Sequence, residues 1–407
     1  MCIIKLLEFE KDINFSLDHY SESDVCSSIE EKYNKGISRV VTETGSYKVN
    51  LLKDIFARGG NYNLEPEYQR RITWNSKKRS KLIESLVMNI PIPPIYLYEK
   101  DYNQYEIMDG LQRVTAIIDF YNDAYSLTGL EEWPELNGKK YSKLDKTIRE
   151  GIDRRQLSVI TLLKETALDS NQAEKVKRLV FERLNTGGVK LTGQEIRNAI
   201  LSGKGNDMCK RLSEHPLFRQ LWEMPEGDLA DESADLFEDE NDEVETVYSQ
   251  KQLKKLQTHT LYKRMGDVEI VLRFFAMRQL NNFVGSLVGF LDDNLKLLNK
   301  YDEEQLRQLE TIFISSLEKA YYLFGSNAFK LYKDGEWTSP LRMIYDPIML
   351  ALSNIDVSFE RIDSIEDRVI KLKQFYEQNT DLFSGKYQTK EYIESRLEAI
   401  LNFFSTL

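Results

Sequence analysis

The chain has 407 residues, 41% hydrophobic and 30% charged, with a formal net charge of −11. That length allows two or three domains with sizeable cores, and the ordinary composition excludes collagen-like, disulfide-scaffold and wholly disordered classes. The charge is local: residues 228–245 hold ten acidic residues and no Lys or Arg, which leaves the rest of the chain at −1. A nearly neutral body is not a strongly basic nucleic-acid binder, but it leaves room for a local basic groove.

No stretch approaches the roughly 18 apolar residues of a membrane span. The apolar start "MCIIKLLEF" is broken by Lys5 and has no small-residue cleavage site after it, so no secretory signal is expected. Cys2, Cys26 and Cys209 lie far apart without metal-ligand spacing. They read as reduced thiols, and a cytoplasmic protein without membrane partners is expected.

In chain order, residues 1–45 are polar and weakly patterned and read as an arm or peripheral hairpin, "SRVVTETGSYKV". A short helix from Leu51 to Phe56 precedes Gly59-Gly60, and Pro66 imposes an extended entry on "NLEPEYQRRITW". Ser76 is placed to cap "KKRSKLIESLVMNI", whose Leu82, Ile83, Leu86, Val87 and Ile90 form an apolar face. Pro91, Pro93 and Pro94 then force a turn into a strand, "IYLYE". "YEIMDGLQRVTAIIDFYND" reads as strand, tight Asp109-Gly110 turn and helix, with Val114, Ile117, Ile118 and Tyr121 as the buried stripe. "RRQLSVITLLK" suggests another strand and residues 171–185 a helix. Asn185-Thr186-Gly187-Gly188 stops that helix, and Thr192 with Glu195 forms a capping box for the next. Beyond residue 200 the pattern is almost wholly helical around the acidic insert 228–245. The expected organisation is α+β: an arm (1–45), an α/β domain (46–200) and a mainly α-helical C-terminal domain (201–407).

Two accounts of the Asp109 turn stand side by side. Asp109 with Gln112 makes a D-x-x-Q capping box. Arg113 fits that account poorly, because a cation at a helix N-terminus opposes the macrodipole by roughly 0.3–1 kcal/mol. The alternative supplies an anion: first-turn amides opened by Gly110 and the Arg113 fork would hold phosphate, and Asp109 a Mg²⁺. Arg113 could equally pair with Glu106 or another acid. Gln69, Arg70 and Arg71 beside Trp74 form a second donor cluster; Arg183, Asn185, Glu195 and Arg197 surround a third, Gly-rich break. Each also has a plain structural account, as a surface loop and as helix punctuation.

Together these blocks, P-E-Y-Q-R, L-I-E-S-L…I-P-I-P-P-I, M-D-G-L-Q-R-V-T-A-I and F-E-R-L-N-T-G-G…L-T-G-Q-E-I-R, resemble the N-terminal domain of GmrSD-type restriction systems. That domain is widespread in prokaryotic phage defence, and its hallmark is a D-G-Q-Q-R motif. "YKRMGDVEIVLRFFA" resembles a later block of the family, with Arg264, Glu269 and Arg273 matching. The resemblance implies a ParB/sulfiredoxin-like fold that binds and hydrolyses a nucleoside triphosphate with Mg²⁺, coupled to DNA sensing or cleavage. It assigns Asp109, Gly110, Leu111, Gln112, Arg113, Gln69, Arg70 and Asn185 to the nucleotide site, with Asp109, Gln112 and Arg113 catalytic and Asp109 the metal ligand. Leu111 stands where the family usually has Gln, which leaves the phosphate-binding logic untouched.

Many relatives carry a C-terminal His-Asn-His nuclease. His19, His215 and His259 are the chain's three histidines, and none sits in a D-H-x-x-P context. No nuclease of that type is expected here, so cleavage would fall to a partner subunit or an unrecognised site. The leading expectation is an NTPase sensor or regulatory subunit of a restriction or phage-defence system. A DNA-binding or DNA-nicking protein using the same groove, and a non-catalytic interaction subunit, are the alternatives. Homo-oligomerisation is left open.

Overall fold

The computed structural model describes residues 4–11, 13, 40–57, 60–63, 74–166, 170–184, 191–225, 228–229, 246–247, 255–355, 364–384 and 389–407. The chain divides into two units, one of residues 18–200 and one that joins residues 1–17 to 201–407.

The first unit is built on a five-stranded mixed sheet in the order β1-β5-β3-β4-β2. Its strands are β1 (Thr42–Lys48), β2 (Tyr62–Asn63), β3 (Ile95–Asp101), β4 (Gln104–Asp109) and β5 (Gln156–Leu162). β1 runs antiparallel to β5, β5 parallel to β3, β3 antiparallel to β4 and β4 parallel to β2. Period-two alternation sends side chains to both faces. Ile95, Leu97, Ile107, Leu157 and Val159 enter one apolar cluster, and Tyr96, Tyr98, Met108 and Leu162 the opposite one. The first face is covered by α1 (Leu52–Ile55), α2 (Ser76–Met88), α3 (Leu111–Tyr121) and α4 (Lys146–Asp153). The second is covered by α5 (Ser170–Leu184) and α6 (Gly193–Ile200). Burial on both sides is why apolar or aromatic residues stand at successive positions in the middle of the central strands, as in Ile95–Tyr98 of β3 and Ile107-Met108 of β4.

Three local features differ from the sequence expectation or refine it. Thr42–Lys48, expected in a peripheral hairpin, is an edge strand of the main sheet. The cap of α2 is Asn75 rather than Ser76; its side chain accepts from the Lys78 amide at 2.9 Å, and Ser76 is the first helical residue. The capping box of α6 forms in both directions: the Glu195 amide donates to Thr192 Oγ1 (3.2 Å) and the Thr192 amide to Glu195 Oε2 (2.7 Å).

The second unit is helical, apart from the short pairs Asp228–Leu229 with Thr246–Val247 and Tyr332–Lys333 with Glu336–Trp337. α7 (Lys204–Ser213) and α8 (Pro216–Leu221) precede the insert region. After it come α9 (Gly266–Arg278), α10 (Leu287–Leu298), α11 (Glu303–Phe324), α12 (Arg342–Leu352), α13 (Ile365–Gln378) and α14 (Lys390–Phe404). α9 is central: apart from Glu269, every residue in it is buried, so its sequence shows little amphipathic stripe. Its charged residues are paired inside the bundle, Arg273 with Asp346 and Arg278 with Glu10. Glu10 belongs to the short helix Glu8–Lys11, so the chain's beginning packs into this unit rather than standing off as an arm. Among the described residues no helix is long and apolar enough to cross a membrane.

Candidate functional site

β4 ends at Asp109 and α3 starts at Leu111, so one residue turns the chain from strand to helix. That residue is Gly110, with φ 108° and ψ 0°. A Cβ there would lie 3.2 Å from Arg113 Nη2, 3.2 Å from Ile95 Cγ1 and 3.4 Å from Ile95 Cα. Both the positive φ and the crowding favour glycine. Leu111 is buried in the core, which fixes the helix start against the sheet.

The D-x-x-Q capping box does not form. Gly110 is the N-cap and no side chain caps the helix, so Asp109 stands one residue outside the position from which it could do so. Instead its Oδ2 accepts from Arg113 Nη2 at 2.7 Å. The same Nη2 donates to the Pro94 carbonyl at 3.1 Å. Among the described residues Arg113 Nε is buried without a hydrogen-bond partner. The Arg113 side chain is 14% exposed and the Asp109 side chain 39%. The anion that offsets the arginine's conflict with the helix dipole is therefore the carboxylate four residues earlier, not Glu106. Glu106 is held by Lys177 at 2.6 Å and Lys100 at 3.4 Å.

Gln112 binds the preceding loop to this turn: its Oε1 accepts from the Trp74 amide at 3.3 Å. The Trp74 ring packs against the core cluster, and the Lys78 ammonium stands 4.6 Å from its centroid. Gln69 and Arg70, expected at the site, lie outside the described residues, as does Asn185. Of the third cluster, Arg183 is exposed on α5, while Glu195 and Arg197 are buried on α6, where Arg197 Nη1 donates to Gln194 at 3.0 Å. These two serve the packing of α6. Among the described residues no group of three or more His, Cys, Asp or Glu is arranged to hold a metal ion.

His215 and His259 each have a buried Nδ1 without a hydrogen-bond partner, and burial lowers the pKa of both. His19 lies outside the described residues.

The opposite end of α3 carries an arrangement that the reading of the sequence did not single out. Tyr121 and Tyr141 stack at 4.3 Å between centroids, and both hydroxyls donate to Asp153 Oδ1, at 2.7 and 2.8 Å. Burial, then the bond to Asp153, raises the pKa of Tyr121 and pushes Tyr141 up to about 12, so both stay donors at neutral pH. The sequence carries no local signal for it, because Tyr121 and Tyr141 come from segments 32 and 12 residues away from Asp153.

Residues 52–202 match the family described as the GmrSD restriction endonuclease, N-terminal domain. The match runs from α1 to just past α6, and so covers the sheet from β2 to β5 and the Gly110 turn. No curated protein and no solved structure matches the chain.

Proposed function

We propose that this chain, a member of the GmrSD restriction family through its residues 52–202, binds a nucleoside triphosphate with Mg²⁺ at the β4–Gly110–α3 turn and hydrolyses it. The restriction-system assignment follows from the family match. The nucleotide reading rests above all on one observation: a guanidinium with a buried, unpartnered Nε beside a glycine-opened helix start that no side chain caps. An uncapped first turn presents backbone amides to an anion, and an oxyanion would also complete the arginine's hydrogen bonding. Support for a ParB/sulfiredoxin-like fold is the same strand-end turn.

In this reading the first-turn amides of Leu111, Gln112 and Arg113 hold phosphate oxygens, together with the Arg113 fork. Asp109, less buried than Arg113, would hold Mg²⁺. The donor set suits that ion, because Mg²⁺ is commonly bound by one or two carboxylates plus phosphates and waters. A bound Mg²⁺ would supply charge neutralisation to the phosphates. Gln112 accepts from the Trp74 amide and so joins the start of α2 to the turn. In this reading the chain acts as a sensor or regulatory component of the restriction system, and any DNA cleavage falls to a partner subunit or another site.

Nucleotide binding by calorimetry, with each NTP and with and without Mg²⁺, tests the site. Arg113→Ala removes charge-assisted hydrogen bonds of about 1.5–3 kcal/mol, so affinity should fall roughly 10- to 100-fold. Asp109→Asn should instead keep Mg²⁺-free binding, because the guanidinium is relieved of its partner, and lose Mg²⁺-dependent hydrolysis. Unchanged affinity in Arg113→Ala would refute the assignment.

A further inference from the structure

The first described residues of the chain, 4–11 and 13, lie against the helical unit in the way a bound peptide does. Their partners stand 268 to 349 residues away: Arg278 and Gln279 at the end of α9, Asn282 just after it, Tyr301 beyond α10 and Asn354 beyond α12. Side chains of the unit read the backbone of this segment. The Lys5 amide donates to Asn354 Oδ1 at 2.7 Å, and the Lys5 carbonyl accepts from Arg278 Nη2 at 3.1 Å. Gln279 Nε2 donates to the Glu10 carbonyl at 3.1 Å, and Asn282 Nδ2 to the Ile13 carbonyl at 3.3 Å.

One side chain supplies the specificity. Glu10 is buried; its Oε1 accepts from Arg278 Nε at 2.9 Å and its Oε2 from Arg278 Nη2. The Leu7 amide also donates to Oε2, at 2.8 Å, so the segment's own turn holds the carboxylate in place for the guanidinium. Both oxygens thus receive N–H donors, a demand that a carboxylate meets and a carboxamide, with an NH2 in place of one oxygen, does not. Apolar contact is slight by comparison. Of residues 4–11 the buried hydrophobic is Ile4, while Leu6, Leu7 and Phe9 are half-buried, with Phe9 edge-on to Tyr301 at 5.0 Å. The fit is also incomplete: among the described residues Arg278 Nη1 and the Tyr301 hydroxyl are buried without a hydrogen-bond partner. A segment held through its backbone and one charged anchor, with little buried apolar surface, docks as a ligand rather than as part of the core.

We propose that this end of the helical unit is a peptide-docking groove selective for a glutamate, filled by the chain's own N-terminal segment, and that the same segment of a second copy of the chain exchanges into it. The second copy is the occupant for two reasons. The groove fits this sequence, down to the carboxylate opposite Arg278. Ile13 and Val40 are separated by 26 residues, a stretch that reaches up to roughly 90 Å when fully extended. Exchange of an identical element between copies keeps every contact of the docked segment. The balance is therefore set by the effective concentration of the tethered segment, of the order of mM. Dilute chains stay closed on themselves, and copies exchange where they are concentrated or where the tethered segment is displaced. The groove lies wholly within the helical unit, and the inference does not rest on the nucleotide reading.

The test is fluorescence anisotropy of a labelled peptide of residues 1–17 with the full chain. Glu10→Arg sets like charges against each other at Arg278 and empties the groove, so that chain should bind the peptide at least tenfold more tightly than the unmodified chain does. A peptide carrying Glu10→Gln should bind the same chain at least tenfold more weakly. Exchange between copies is read by co-purification of differently tagged chains. Glu10→Arg and Arg278→Glu chains, neither able to form the pair within itself, should co-purify when mixed, because Glu10 of one meets Arg278 of the other. Neither should co-purify with a second copy of itself beyond the level of the unmodified chain. A folded Glu10→Arg chain that ignores the peptide, two peptides bound alike, or a mixture that co-purifies no better than either variant alone would overturn the inference. A Glu10→Arg chain that does not fold would also overturn it, by showing the segment to be part of the core.

Discussion

Arg273→Ala is expected to destabilise the helical unit by about 3–5 kcal/mol, the range for breaking a buried ion pair from one side. Arg273 on α9 donates from Nε to Asp346 Oδ1 on α12 at 3.0 Å, and its Nη2 contacts Oδ2. Both side chains are almost wholly buried, at 2% and 3% exposed. Alanine would leave the buried Asp346 carboxylate without its fork, facing the charge of Arg396, and would open a cavity near Tyr345, which is fully buried. The cost comes from the orphaned charge, not from any large net worth of the pair. Hence Arg273→Met combined with Asp346→Leu should recover most of the loss. Denaturant midpoints of the two variants, with hydrogen exchange of α9 amides as the local readout, check both parts. A single variant within about 1 kcal/mol of the parent would show that the pair is not what holds α9 to α12.

How much of this could be seen in the chain beforehand depended on range. The strand, turn and helix around Gly110 were legible because alternation at Tyr105 and Ile107, a D-G step and a 3.6-residue stripe all lie within one short segment. The Thr192–Glu195 box was legible for the same reason. β1 was not, since an edge strand exposed on both faces, TETGSYK, has no apolar alternation to detect. The Asn75 cap was missed by one residue, within the ordinary uncertainty of helix ends. The Asp109–Arg113 pair did leave a trace, an acid four residues ahead of a base, but the capping-box pattern at the same aspartate competed with it. Arg273 with Asp346 and Arg278 with Glu10 left none. Partners 73 and 268 residues apart are joined by tertiary packing, which no local pattern records. The same holds for Asp153, whose two tyrosines come from different segments.

The Asp109–Arg113 pair also changes what the proposed nucleotide site asks of the protein. A free guanidinium would attract anions without discrimination, whereas one already matched to a carboxylate is engaged only by a ligand that outcompetes that carboxylate. A polyphosphate carrying Mg²⁺ brings partners for both members of the pair at once. Simple monoanions bring a partner for the arginine alone and would leave Asp109 beside added negative charge. This argues for selectivity toward metal-bound triphosphate over inorganic phosphate.

Gly110→Ala should show how strictly that turn is built. The L-residue would have to adopt φ near 108°, which costs about 1–3 kcal/mol, and its methyl would meet Arg113 Nη2 and Ile95 Cγ1, each at 3.2 Å. Ile95 is fully buried and belongs to the central strand β3, so it cannot retreat. The guanidinium is the softer neighbour and is the group expected to move, away from Asp109 and Pro94. We therefore expect a stability loss of about 2–3 kcal/mol together with a fall in nucleotide affinity, because the displaced arginine and the first-turn amides no longer converge. Gly45→Ala is the internal control: nothing lies within 4 Å of a Cβ there, and the change should stay within about 0.5 kcal/mol. Unfolding midpoints and calorimetry on the two variants separate backbone strain at the turn from a general effect of replacing glycine. A stable Gly110→Ala protein with full nucleotide affinity would mean that neither the left-handed turn nor the position of Arg113 matters to binding.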